Sequence, residues 1–263
     1  MVVGAFTCVD VTPIPAAEAD RFEVRVGGSR FSSAGFTLAG PGLPLTGEVR
    51  FSGLTPWPVS WRSPGIMDWY AYVPFMECYH GVVSLHHRLE GALVTGDGER
   101  VSLDGGTGYV EKDWGQAFPA GYVWLHSNTF DRERVCLVAS IAIIPWLFTS
   151  FPGFIVGLWV DGTLHRFATY TGAESRSVAI DDREVRWELE DRKFRLSLTA
   201  ERRRGGLLHA PVRTEMHKRV EETLDATVHV RLTDDDGHVL LDDTGSCAGL
   251  EVHGDLERLL ATD

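Results

Sequence analysis

The chain has 263 residues, enough for a substantial core in one large domain or two small ones. Its net charge of −12 argues against a nucleic-acid or anionic-membrane surface, which would repel it. The four cysteines, Cys8, Cys78, Cys136 and Cys247, lack CxxC spacing, so they indicate neither a zinc knuckle nor a disulfide framework and favour a reducing, cytoplasmic compartment.

The N-terminus lacks the basic region, long apolar run and cleavage site of a secretory signal. Val2 to Val11 reads as a strand ended by Pro13-Ile14-Pro15, and short strand-like runs follow at Phe22 to Val26, Phe36 to Leu38 and Leu45 to Phe51. From Pro56 to Pro74, prolines and aromatics (Trp57, Trp61, Trp69, Tyr70, Tyr72) punctuate the chain too densely for a helix, which predicts an irregular crossing that covers apolar surface. Phe75 to Leu85 resumes alternation, with Glu77 and Tyr79 on one face and Cys78 and His80 on the other. His80 by itself reads first as a hydrogen-bonded interior residue. No HExxH spacing occurs, and the sequence predicts no metal site.

The stretch Gly108 to Phe130, GYVEKDWGQAFPAGYVWLHSNTF, concentrates acids, rings and a histidine between turn signals. Alternation over Tyr109 to Trp114 puts Tyr109, Glu111 and Asp113 on one strand face, with Lys112 and Trp114 on the other. A second run, Tyr122 to Phe130, places Tyr122, Trp124, His126 and Asn128 together. Paired carboxylates beside apolar rings disfavour double ionisation, so one of them is expected to hold a proton near neutral pH. Such an acid suits protonation of a carbon–carbon double bond, with ring faces stabilising the cation by about 0.5 to 2 kcal/mol each. The competing reading is structural: Glu111 paired with Lys112 or an arginine, and Trp114 in ordinary core.

Hairpin signals stand at Gly96-Asp97-Gly98, Asp161-Gly162 and Asp236-Gly237. Val135 to Val160 carries no charge and is long enough to span a bilayer, but Pro145, Pro152, Gly153 and Gly157 break it. Two buried strands, Val135 to Ile144 and Phe154 to Val160, fit better. Their connection, with Trp146, Leu147, Phe148 and Phe151, is either packed or a ligand entrance or peripheral membrane contact. Strands are expected at Arg183 to Glu190, Lys193 to Ala200, Ala226 to Leu232 and Val239 to Leu241, and helix only at Glu215 to Thr223 and Leu256 to Leu260. The absence of GxSxG, Walker and GxGxxG patterns removes the common hydrolase, nucleotide and dinucleotide classes. Many short antiparallel strands must hide their edges, most fully by closing a barrel.

The central stretch, preceded by GLTPWPVSWRSPGIMDWYAYVPFMECYHGVVSLHH and followed by KRVEETLDATVHVRL and AGLEVHGDLERL, resembles bacterial members of the tocopherol cyclase-like family from about Phe22 to Leu260. That family looks related to carotenoid hydratases and lipocalin-like pericyclases. The resemblance implies an all-β chain of two consecutive lipocalin- or calycin-like antiparallel barrels, residues 1–119 and 120–263. The first would be incomplete at its N-terminal side or completed by another chain. It also implies a cofactor-independent cyclisation of a lipophilic molecule such as a prenylated quinol, terpenoid or polyene. In that reading Asp113 is the acid, Glu111 its partner or substitute, and His80 and His126 accept the phenolic proton. Trp114, Trp124, Tyr79, Tyr109 and Trp69 line the pocket, and Glu77, Tyr122 and Asn128 complete the substrate-binding set. The sequence departs from the pattern in three ways. Many members carry Gln at the position of His126, plant members carry Asn at that of Asp113, and an N-terminal Gly-Trp-Tyr-Phe-Lys type motif is absent. A non-catalytic carrier of an isoprenoid, or a lipocalin-like pericyclase, would use the same cavity.

Overall fold

A computed structural model describes residues 22–261 apart from 75, 213 and 214, and side chains for all of these but 211–219. The strand expected at Val2 to Val11 lies outside the described residues. The chain is all-β, with lipocalin-like antiparallel sheets, and divides into two compact units. One runs through Val73 and resumes over Tyr79–Trp114; the other comprises Pro74–Cys78 and the chain from Gly115 onward.

The first unit is a seven-stranded sheet. In order it joins β1 (Glu23–Val26), β2 (Ser29–Ser32), β3 (Gly35–Leu38), β4 (Leu45–Thr55), β5 (Cys78–Thr95) and β6 (Arg100–Ser102), while β7 (Thr107–Gly115) also pairs with β5. Alternation gives it a core of Leu38, Val49 and Leu93, against which Phe31, Phe36, Phe51 and Leu89 pack. The proline- and tryptophan-rich segment is irregular, as its composition predicts, with a single 3-10 turn at Asp68–Tyr72. It buries Trp57, Ile66 and Met67.

The second unit is an eleven-stranded antiparallel sheet, nearly closed into a barrel. Its strands are β8 (Gly121–Ser127), β9 (Thr129–Phe130), β10 (Val135–Trp146), β11 (Thr149–Val160), β12 (Thr163–Ala168), β13 (Glu174–Ile180), β14 (Glu184–Glu190), β15 (Phe194–Glu201), β16 (Gly206–Val212), β17 (Glu215–Asp234) and β18 (Val239–Gly254). The ladder runs β12-β11-β10-β8-β18-β17-β15-β14-β13, with β16 on β17 and β9 on β18. Strands far apart in that order meet face to face. Phe154 on β11 packs its ring 6.0 Å from Trp187 on β14, and His165 on β12 lies 4.7 Å from Phe194 on β15. The sheet therefore curls onto itself around one core, which includes Val123, Leu125, Leu137, Leu158, Phe167, Leu196, Val228 and Leu232.

The charge-free run folds as the β10–β11 hairpin, with Val135 opposite Val160 and Trp146 opposite Thr149. The connection is therefore only Leu147 and Phe148, shorter than the one expected between Ile144 and Phe154. The helix expected at Glu215 to Thr223 is strand, the first half of β17, paired with β16 and β18. Val220 and Glu222 are buried and Glu221 is exposed, the period of a strand; pairing on both edges overrides the helix-forming glutamates. Leu256–Leu260 is the expected short helix, α1, capped by Asp255. Among the described residues no helix is long and apolar enough to cross a membrane.

Candidate functional site

The acids of β7 face β5. Tyr109, Glu111 and Asp113 share one face by alternation, and His80 of β5 reaches them. Its Nδ1 lies 2.6 Å from Asp113 Oδ1 and its Nε2 3.5 Å from Glu111 Oε2. The Tyr109 hydroxyl donates to the same Glu111 oxygen at 2.5 Å. The imidazole thus lies between two carboxylates, with Met67 Sδ accepting from its backbone N–H at 3.1 Å. His80 and Glu111 are largely buried, at 14% and 18% side-chain exposure, while Asp113 at 33% keeps a way out to solvent.

Burial opposes charge on His80, yet the carboxylates of Asp113 and Glu111, and the hydrogen bond to Asp113, outweigh it and hold its pKa up to about 9. A pKa of about 9 favours the imidazolium form of His80 at neutral pH. The structure brings three of the residues named from the sequence together, with His80 within reach of both Asp113 and Glu111. The ligand atoms of His80, Glu111 and Asp113 also lie within 4.8 Å of one another, so a divalent cation that displaced the proton would find three donors.

The other face of β7 is different. Lys112 Nζ sits 4.8 Å from the centre of the Trp114 ring, and Trp114 stacks on Tyr79 at 5.5 Å over Gly81. The Tyr79 hydroxyl donates to the Val73 carbonyl at 2.6 Å. Burial pulls the Lys112 pKa down. Alternation therefore separates Lys112 from Glu111, and puts Trp114 and Tyr79 behind the acids. The ring beside Glu111 is Tyr109. Trp69 stacks on Tyr70 at 4.0 Å and is 44% exposed, and the Glu77 side chain is exposed.

In the second unit, β8 turns Val123 and Leu125 into the packed core, and Tyr122, Trp124 and His126 onto the opposite face. These three side chains lie on the face of β8 away from the Val123 and Leu125 core. The Tyr122 hydroxyl donates to Glu251 Oε2 at 2.6 Å, and its ring lies 5.8 Å from that of His253. Trp124 stacks towards His126 at 6.3 Å, over Gly249. Cys136 Sγ lies 3.8 Å from His126 Nε2. Burial lowers the His126 pKa to about 3, which makes it neutral and a weak base. Asn128 is half-buried, between β8 and β9.

Sequence reasoning missed Glu251, His253 and the buried Glu222, which pairs across strands with Glu251. The signal was present in AGLEVHG, where Glu251 and His253 stand two apart and so share a face. A groove of about 270 Å³ lined by Val26, Phe31, Ala39 and Leu43 lies at the β1–β3 end of the first unit and includes none of the predicted site residues.

The sequence model described as tocopherol cyclase-like matches residues 50–254. Over 202 residues the chain is 25% identical to a tocopherol cyclase, chloroplastic, of Zea mays, covering 71% of this chain and 41% of that protein. Over 125 residues it is 27% identical to a probable tocopherol cyclase, chloroplastic, of Oryza sativa subsp. japonica, covering 46% and 26%. The chain thus spans less than half the length of these plant relatives. Its fold is similar to that of kievitone hydratase from Nectria haematococca, with a TM-score of 0.51 at 13% identity over 88% of this chain and 70% of that one. It is also similar to CghA in complex with Sch210972, with a TM-score of 0.51 at 10% identity over 86% and 67%.

Proposed function

The chain belongs to the tocopherol cyclase-like family, and from that premise we propose that it is an enzyme adding a proton and an oxygen nucleophile across a carbon–carbon double bond of a lipophilic substrate. The observation that carries this reading is the place of the His80 ring between Asp113 and Glu111, one ring nitrogen towards each. Asp113 fixes the ring through Nδ1, and Nε2–H is the transferable proton. It goes to one alkene carbon while the substrate's own phenolic oxygen bonds to the other. The phenolic proton passes to Glu111, steadied by Tyr109, and returns across 3.5 Å to Nε2. Nothing is consumed, and the product is an isomer.

A proton held at about 9 belongs to a mild acid. It transfers more readily to a double bond conjugated with a carbonyl than to an isolated alkene, because the negative charge moves onto oxygen. The preferred substrate is therefore a phenol-bearing enone with a polyprenyl tail, ahead of a prenylated quinol with an isolated double bond.

The test offers both substrates to the purified chain in heavy water, with and without EDTA. An isomeric product carrying one carbon-bound deuterium, lost in His80→Gln and unaffected by EDTA, is the expected result. Loss of turnover with EDTA would assign the cluster to a metal. A product heavier by one water would make the chain a hydratase, and binding without conversion a carrier. Faster turnover of the isolated alkene would remove His80 as the donor.

A further inference from the structure

The β10–β11 hairpin ends in Leu147 and Phe148, both exposed, Phe148 entirely so. Leu147 adopts φ 51, a position where turn chemistry favours Gly or Asn, so the turn alone gives no reason for leucine. Trp146 and Phe151 stack edge to face at 6.3 Å behind the tip. No charged side chain occurs from Val135 to Val160, the whole length of the hairpin. Beside this apex stands a cation: the Arg258 guanidinium on α1 donates to Ser150 Oγ at 2.5 Å, two residues beyond Phe148. The acids of that short helix are Asp255, whose carboxylate accepts from the Arg258 backbone N–H, and Glu257.

We propose that this tip is a lipid-surface anchor, with Leu147 and Phe148 entering the acyl region and Arg258 meeting a lipid phosphate. An uncharged apolar wedge flanked by a guanidinium matches the layering of a phospholipid surface, apolar below and phosphate above. The net charge of −12 sets the preference for zwitterionic over anionic lipid. The anchor stands apart from the reaction assigned to His80 and requires no part of it.

Flotation of the full chain with phosphatidylcholine vesicles, and with vesicles containing phosphatidylglycerol, tests the proposal. Binding to phosphatidylcholine is expected, weaker on the anionic vesicles. It should fall at least roughly tenfold in Leu147→Ser/Phe148→Ser and roughly threefold in Arg258→Gln. Because both tip residues are exposed, the double variant should keep the wild-type unfolding midpoint, and a folded variant makes its binding result decisive. The proposal is overturned by absence of the wild type from floated phosphatidylcholine vesicles, by unchanged binding of the folded double variant, or by stronger binding to the anionic vesicles. It is also overturned if sedimentation shows a self-associated wild type that the double variant makes monomeric without altering vesicle binding, which would identify a second copy of the chain as the occupant.

Discussion

His80 in the first unit and His126 in the second are both largely buried histidines on strands, yet their surroundings push their pKa values in opposite directions. Burial disfavours the imidazolium at each. Beside His80 stand two carboxylates, which outweigh burial and lift its pKa to about 9. His126 has indole and thiol neighbours in Trp124 and Cys136, and burial alone sets it at about 3. What a buried histidine does is thus decided by the charges its sheet neighbours bring, and the residue type carries little of the answer.

The largest effect that would break this contrast is kinetic. His80→Gln should lower turnover by roughly 10² to 10⁴, the range for losing a positioned proton donor, whereas His126→Gln should leave most of it. Equal losses in the two variants would make the opposite pKa shifts irrelevant to the chemistry.

Next comes stability in alkali. A folded-state pKa above the unfolded value means His80 contributes stability that is full below about 6.5 and lost as pH rises through about 9. The loss should be on the order of 3 kcal/mol in urea titrations between those limits. Asp113→Asn removes a carboxylate that raises the pKa, so its alkaline slope should be shallower. An identical slope in the variant would deny the ion pair its role.

On the acid side the sign reverses. His126 at about 3 and His87 at about 4 are neutral when folded, so protons bind the unfolded chain first and stability falls as pH drops below about 6.5. His87 is confined by the Phe51 ring at 4.2 Å and by Gly108, where an added Cβ would lie 2.2 Å from Nε2. Replacing either histidine by Phe should abolish on the order of 2 kcal/mol of the loss between pH 7 and pH 5, read as the urea midpoint at each pH.

The smallest effect concerns packing. Gly249→Ala would set a Cβ 2.7 Å from the Trp124 ring, and the ring must shift to admit it. A cost of about 1 kcal/mol is expected, with turnover of the His80 cluster unchanged. A large fall in turnover would tie the His126 face to the chemistry and blur the contrast between the units.

Period-2 alternation along Tyr109 to Trp114, the charge-free hairpin and Tyr122 to Phe130, the last interrupted at Asn128, was legible from the residues alone, because strand side chains must alternate between faces. So were the irregular tryptophan-rich crossing and the short last helix. The strand at Glu215 to Asp234 was not, since its glutamates and arginines favour helix until both edges are paired. Glu111 and Asp113 could be placed on one face from spacing, but His80 lies some thirty residues away in sequence, and only the β5–β7 pairing brings it between them. The sequence by itself determined an all-β chain, its family and the faces of its strands, because these follow from local spacing and from motifs carried in order. Tertiary structure alone decided which histidine meets the acids and which rings stand beside them, because strand pairing sets what is close in space.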